Sequence, residues 1–217
     1  MARKKSNKTN KSAIKVARRL LERGLEHTCR HTPLHTTRSR LCRIEWHLRK
    51  VLETLGYNKG DEVYQRTPKR VAKAYILELF SGLDYGRFPR CSKFPIIIGI
   101  NTRRRIRDIP FTSMCEHHLL PFTGTITIGY KPRKYVIGLS KIPRVAQFFA
   151  CRPQMQERLT CQILEALRAI THSKEAGIKI DAQHTCVCAR GIKSDNVTTT
   201  YQLKHLSPNG LAMLFDK

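Results

Sequence analysis

No stretch of this sequence stays apolar for anything near the roughly 20 residues that cross a bilayer. The opening MARKKSNKTNK has no apolar run behind it, so neither a membrane span nor a secretory leader is expected. Acidic side chains are scarce: 16 Asp and Glu stand against 41 Lys and Arg, a formal charge of +25. Cysteine, at eight irregularly spaced residues in 217, is too thin for a disulfide-built scaffold. Reduced thiols or metal ligands in a soluble, cytoplasmic protein are the expectation. No internal repeat of about 20 to 50 residues is present, which excludes solenoids, and the length excludes a large multidomain architecture. What remains is a chain that is 41% hydrophobic, too much for a disordered basic tail and enough for one core.

The positive charge is densest at the front, where residues 1–50 hold 15 basic and 3 acidic side chains. Residues 1–11 are polar, Lys-rich and aperiodic, and read as a flexible arm serving solubility or weak attraction to polyanions. Elsewhere the basic residues are scattered as a composition bias would scatter them. A nucleic-acid partner is not expected on this ground.

Behind the arm, residues 12–217 read as a single domain. Apolar residues at helical spacing predict helices over 12–27 (Ile14, Ala17, Leu20, Leu21, Leu25) and 38–55 (Leu41, Ile44, Leu48, Val51). Thr67 and Pro68 read as the N-cap and first residue of a third helix to about residue 83. After a mixed segment over 88–110, in which PIIIGI suggests a short strand and a basic turn follows, TGTITIGY (123–130) and YVIGL (135–139) read as a hairpin across KPRK. Ser140 is placed to cap a helix through 150, and Pro153 to open a longer one carrying Leu159, Ile163, Leu167 and Ile170. GIKIDAQ, TCVCARG and VTTTYQL read as three closing strands. The pattern is α+β: a helical part over 12–83, then over 84–217 an antiparallel sheet with helices on one face.

Two clusters carry metal-ligand chemistry. Cys115-Glu116-His117-His118 puts a thiol and an imidazole three residues apart in a loop, and strand alternation puts His184, Cys186 and Cys188 on one face. Cys115, His118 and Cys186 would make a three-ligand zinc site with a position left for water. On spacing alone the same residues read equally as a surface turn beside apolar strand filling. The group His27, Cys29, His31 and His35 lies in a basic connector and reads as that. Ser140, Lys141 and Arg144 stand at a helix start, where free amides and the dipole attract anions. With Arg190 and Arg70 they could converge on a triphosphate, although each alone is an ordinary solvated base. Glu157, beside Gln156 in the first turn of a helix, is ambiguous by itself.

The segments SMCEHHLLPFTGTITIGY, VIGLSKIPRVAQFFACRPQMQERLTCQIL and IDAQHTCVCARGI, with TPKRVAKAYILELFSGLDYGRFP upstream, closely resemble GTP cyclohydrolase I over about residues 12–203. The resemblance implies zinc held by Cys115, His118 and Cys186, and proton handling by His117 and His184. It implies guanine held by Gln156 and Glu157, triphosphate met by Lys141, Arg144, Arg190 and Arg70, and Ser140 acting in a later ring closure. It further implies the tunnelling fold, a toroidal homodecamer with active sites between subunits, and hydrolysis of GTP at C8 to formate and 7,8-dihydroneopterin triphosphate, the first step of pterin and tetrahydrofolate synthesis. Departures are the basic segment 99–107, a short end after LSPNGLAMLF, Cys188 and the arm. A basic nucleic-acid-binding module with a closed, four-ligand zinc is the rival from another class, and a relative without turnover is the third reading.

Overall fold

The computed structural model describes residues 10–26, 36–96, 102–133 and 135–206. The arm up to residue 9, the His27 to His35 group, the end of PIIIGI and the segment after 206 lie outside the described residues. Three helices come first: α1 (Lys11–Glu22), α2 (Thr37–Thr54) and α3 (Glu62–Lys73), the last continuing as a wider π-helical turn over Ala74–Leu79. Strands β1 (Lys93–Pro95), β2 (Arg104–Cys115), β3 (Pro121–Tyr130) and β4 (Tyr135–Ile137) follow. Helix α4 (Lys141–Ala150), the two-residue β5 (Pro153–Gln154), helix α5 (Gln156–Thr171), β6 (Ala176–His184), the single turn α6 (Thr185–Cys188) and β7 (Val197–Lys204) complete the described residues.

The main sheet has the order β5-β2-β3-β6-β7, antiparallel except where β5 meets the end of β2. Period-two alternation sends Phe111, Ile126, Ile128, Ile178 and Ile180 to one face, where they are buried under Val145, Phe149, Leu159 and Ile163 of α4 and α5. Thr123, Thr125 and Thr199 on the other face are exposed. This is the α+β fold with helices on one face of an antiparallel sheet that the sequence predicts.

The expected hairpin does not form. β3 lies between β2 and β6, whereas β4 pairs with β1 in a separate ribbon, Phe94 opposite Val136. β2 is the partner hidden in the basic segment: its exposed side takes Arg, Pro and Thr, and a bulge between Ile106 and Ile109 restores the register. TCVCARG is not a strand either. The Thr185 hydroxyl donates to Pro121 O at 2.6 Å, and the chain turns there into α6, so Cys186 and Cys188 do not share a strand face with His184.

The third helix begins at Glu62 rather than at Thr67, and Pro68 sits inside it. Proline offers no N–H to the carbonyl four residues back. That carbonyl, Tyr64 O, instead accepts from the Arg49 guanidinium of α2 at 3.2 Å, so the proline defect also ties two helices together. Likewise β5 occupies the place where Pro153 was expected to open α5.

Helix α1 is fastened to α5 by Ala13, Val16 and Leu20 and by one buried carboxylate. Glu165 is 1% exposed and meets Arg19, Arg23 and Arg168 at 2.8 to 3.2 Å. Burial alone would raise its pKa, but the Arg19 hydrogen bond and the neighbouring guanidiniums outweigh it and hold the carboxyl below its usual value. Stability drawn from Glu165 is therefore present above the ordinary carboxylate range and is lost as pH falls through the depressed folded value. Glu165→Gln should cost about 3 kcal/mol in urea unfolding at pH 7, and the deficit should shrink under acid; a pH-independent deficit would show that the charge is irrelevant.

Candidate functional site

The site grows from three chain ends that the sheet register brings side by side. β2 delivers Cys115 to its last position, β3 starts beside it, and β6 ends at His184 directly opposite Phe122. Between Cys115 and β3 the chain makes a tight turn: Leu119 N donates to Cys115 O and Cys115 N to Leu120 O, both at 2.8 Å. Leu119 adopts φ +52°, a left-handed conformation that a leucine takes only under constraint. The turn is also held from outside, since Glu116 N donates to Gln154 O of β5 and the Glu116 carboxylate pairs with Arg158 of α5.

This arrangement gathers the ligand atoms of Cys115, His118 and Cys186 within 4.8 Å of one another. Cys115 Sγ lies 3.9 Å from His118 Nδ1. A tetrahedral zinc about 2.3 Å from sulfur and 2.0 Å from nitrogen spaces such atoms about 3.5 to 3.8 Å apart, so the donor set and its spacing fit that ion. His117 Nδ1 also comes within 3.9 Å of Cys115 Sγ, but it is His118 that completes the mutual set with both sulfurs. Burial, and then the neighbouring Cys115 thiol, push the Cys186 thiol up from its ordinary value. Cys186 thus ionises readily beside a cation and reluctantly otherwise.

His184 stands next to this group. Its ring stacks on Phe122 with centroids 4.5 Å apart and planes 5° from parallel, and its Nε2 lies 2.8 Å from Gln156 Oε1. Burial lowers its pKa from the ordinary value, with a smaller opposing pull from Glu157. Glu157, the residue after Gln156, is exposed and lines a cleft of about 270 Å³ with Thr160, Cys161, Thr200 and Gln202. Gln156, expected at the edge of a guanine, is turned inward instead: it is 2% exposed and its amide is bonded within the protein. Arg190 follows α6 closely enough to act on Cys186.

The remaining expected cations are elsewhere on the protomer. Helix α4 turns its C-terminal end to the metal ligands, for the Ser113 hydroxyl of β2 donates to Ala150 O at 2.7 Å and Cys115 pairs with Gln154 just beyond it. Ser140, Lys141 and Arg144 lie toward the other end, Lys141 about 14 Å and Arg144 about 9 Å along the helix from Ala150. Ser140 occupies the N-cap position without a side-chain capping bond. Arg70 is exposed on α3, which packs on α2 and the following π-helical turn. One chain therefore brings together Cys115, His117, His118, Cys186, His184, Glu157 and Arg190, and leaves Ser140, Lys141 and Arg144 apart from them. Phe122 and the Glu116–Arg158 pair were not foreseeable, since both depend on which strands and helices become neighbours.

Comparison with known proteins agrees with this picture. A sequence model described as GTP cyclohydrolase I matches residues 44–207. A protein named GTP cyclohydrolase 1 from Shewanella baltica (strain OS185) is 44% identical over 191 residues, 88% of this chain and 88% of its own. Its namesake from Shewanella amazonensis is 45% identical over the same share of each. Among solved structures, one titled as the archaeosine synthase QueF-Like in the apo form matches 46% of this chain and 91% of its own at 15% identity and a TM-score of 0.36, too slight a likeness to bear on function.

Proposed function

The chain belongs to the GTP cyclohydrolase I family, and on that footing we propose that it is a zinc-dependent enzyme that opens the imidazole ring of GTP at C8, releasing formate and leaving 7,8-dihydroneopterin triphosphate. The observation that carries the reading is the meeting of Cys115, His118 and Cys186 beside His184 and Glu157. These three residues would hold the ion. Zinc in such a place supplies a Lewis acid that brings the pKa of water down towards about 7, giving a nucleophile near neutral pH.

The chain's own groups do the rest. Glu157 accepts from the ring N–H and exocyclic amine of guanine, a charge-assisted pair that selects guanine over a base lacking those donors. His184 handles the proton at N7 as C8 is attacked, and His117 assists from the turn. Burial keeps His184 largely uncharged near pH 7 in the free protein, so it can accept a proton and return it. Arg190 meets the triphosphate, and its grip far from the reacting atoms retains the opened intermediate through ring closure, where Ser140 has its part.

Lys141, Arg144 and Ser140 meet the same triphosphate from a second copy, since α4 carries them toward its N-terminal end and turns its C-terminal end to their own chain's metal ligands. Two protomers then build each site, in keeping with the toroidal homodecamer that the family resemblance implies. Exposed Val197, Thr199 and Tyr201 on the edge strand β7, and an α2 without a buried residue, offer surfaces for that assembly. Arg70, also from another part of the ring, would complete the clamp. All of these residues belong to the single domain over 12–217, behind the arm of residues 1–11. No helix of the described residues is long and apolar enough to cross a membrane, which suits a cytoplasmic enzyme of pterin and tetrahydrofolate synthesis.

The test is to incubate zinc-loaded protein with GTP and measure formate together with the fluorescent pterin formed after oxidation. One formate per pterin is expected; GTP left intact would overturn the proposal. Shared sites make a second expectation. Cys186→Ala and Arg144→Ala should each be inactive, yet co-assembled they should recover about a quarter of wild-type turnover, since one site in four draws both intact halves. No recovery would place each site within one chain.

A further inference from the structure

Gln156 opens α5 at the metal-bearing end of the domain, yet its side chain is 2% exposed. The two ends of its carboxamide can be told apart by what surrounds them. One atom lies 2.9 Å from Thr198 O, 3.1 Å from Ile180 O and 3.1 Å from Thr200 Oγ1. Main-chain carbonyl oxygens only accept, so the atom facing two of them is the NH₂ group. The amide oxygen is then the atom that faces His184 Nε2 at 2.8 Å, and an amide oxygen also only accepts. His184 must donate through Nε2–H.

A neutral imidazole carries one proton, so with Nε2 protonated the free lone pair belongs to Nδ1. Phe122 removes the remaining freedom, because a ring stacked 4.5 Å away and 5° from parallel opposes rotation about the last side-chain torsion of His184. Strand register supports both contacts: Phe122 faces His184 across β3 and β6, and Ala182 faces Thr198 across β6 and β7. The edge strand β7 thereby reaches the histidine through a single amide.

We propose that Gln156 is a positioning residue: it fixes His184 as the Nε2–H tautomer, so that Nδ1 gives and takes the proton at N7 of guanine, and it leaves the reading of the guanine edge to the Glu157 side chain. The role assigned to Nδ1 rests on the cyclohydrolase reading above; the tautomer does not. The transfer balances: Nδ1 takes the proton that the attacking water loses as it adds at C8 and passes it to N7, while His184 keeps its Nε2–H bonded to the Gln156 amide oxygen throughout.

Two measurements on the zinc-loaded full chain decide it. The first is the ¹⁵N spectrum of histidine-labelled wild-type protein at pH 8, with His184 assigned by difference against His184→Asn. A protonated Nε2 and an unprotonated Nδ1 are expected, and the reverse pattern would overturn the proposal without any reference to activity. The second compares wild type with Gln156→Met. Formate release should fall by about 10²-fold in kcat, the usual worth of a well-placed proton carrier, while KM and the directly measured Kd for GTP change less than threefold. A Kd raised tenfold or more with kcat retained would return Gln156 to guanine recognition. If Gln156→Met does not fold, the wild-type spectrum alone carries the decision. Failure of wild type to release formate would sink the cyclohydrolase reading and still leave the tautomer measured.

Discussion

Replacing Cys186 with alanine should strip zinc and turnover from the protein together while leaving the fold standing. The loss of one sulfur from a three-residue set leaves Cys115 and His118, one thiolate and one imidazole, which cannot hold a divalent ion against water at ordinary concentrations. Turnover should fall by about 10³-fold or more, because the Lewis acid accounts for several kcal/mol of transition-state stabilisation and each 1.4 kcal/mol is tenfold. Cys186 is only half-buried on a four-residue helix, so removing its sulfur should cost about 1 kcal/mol of stability. Metal analysis, formate release and a urea titration on the same preparation separate these effects. Zinc retained in full would refute the ligand assignment, and loss of the fold would make the ion structural.

Gly124→Ala is expected to do the opposite, destroying the fold before it touches the chemistry. A Cβ at position 124 would lie 1.9 Å from Asp181 O and 2.7 Å from Ala182 Cα, both main-chain atoms of the neighbouring strand. No rotamer change relieves such a contact; β3 and β6 have to move apart. The separation would come in the middle of the sheet, two residues from the Phe122 and His184 stack. A loss of about 4 kcal/mol or more is expected, at the exceptional end for single substitutions. Far-ultraviolet circular dichroism during thermal unfolding would report it. A melting temperature within a few degrees of wild type would mean that the two strands sit farther apart than described.

The parts legible in the sequence are those governed by local periodicity or by a local run of donors. The stripes Ile14 to Leu25 and Leu159 to Ile170 announced α1 and α5, and TGTITIGY announced β3. CEHH and CVC marked the residues, Cys115, His118 and Cys186, whose donor atoms come together. β2 was missed because an edge-side strand with one wet face takes Arg, Asp and Pro without penalty, so its sequence imitates a turn. Pro68 misled because the carbonyl it orphans is satisfied by Arg49, a partner 15 residues away from Tyr64. The resemblance pairs Gln156 with Glu157 at a guanine edge, but what the sequence cannot show is that neighbours at a helix start point in different directions, and Gln156 points into the sheet. The separation of Lys141 from Cys186 could not be read at all, since it is the length of a helix laid across a sheet.

The tight turn over Cys115 to Leu120 bears on how the proposed zinc would come and go. Both main-chain groups of Cys115 are already spoken for and Leu119 is already bent into its unusual conformation, so the socket is shaped by the polypeptide and not by what enters it. A chelator should therefore empty the protein without melting it, and added zinc should restore it at the pace of ligand exchange rather than of refolding. For a cell whose zinc supply fluctuates, such a catalyst would idle through scarcity as an intact apoprotein and resume when the metal returns.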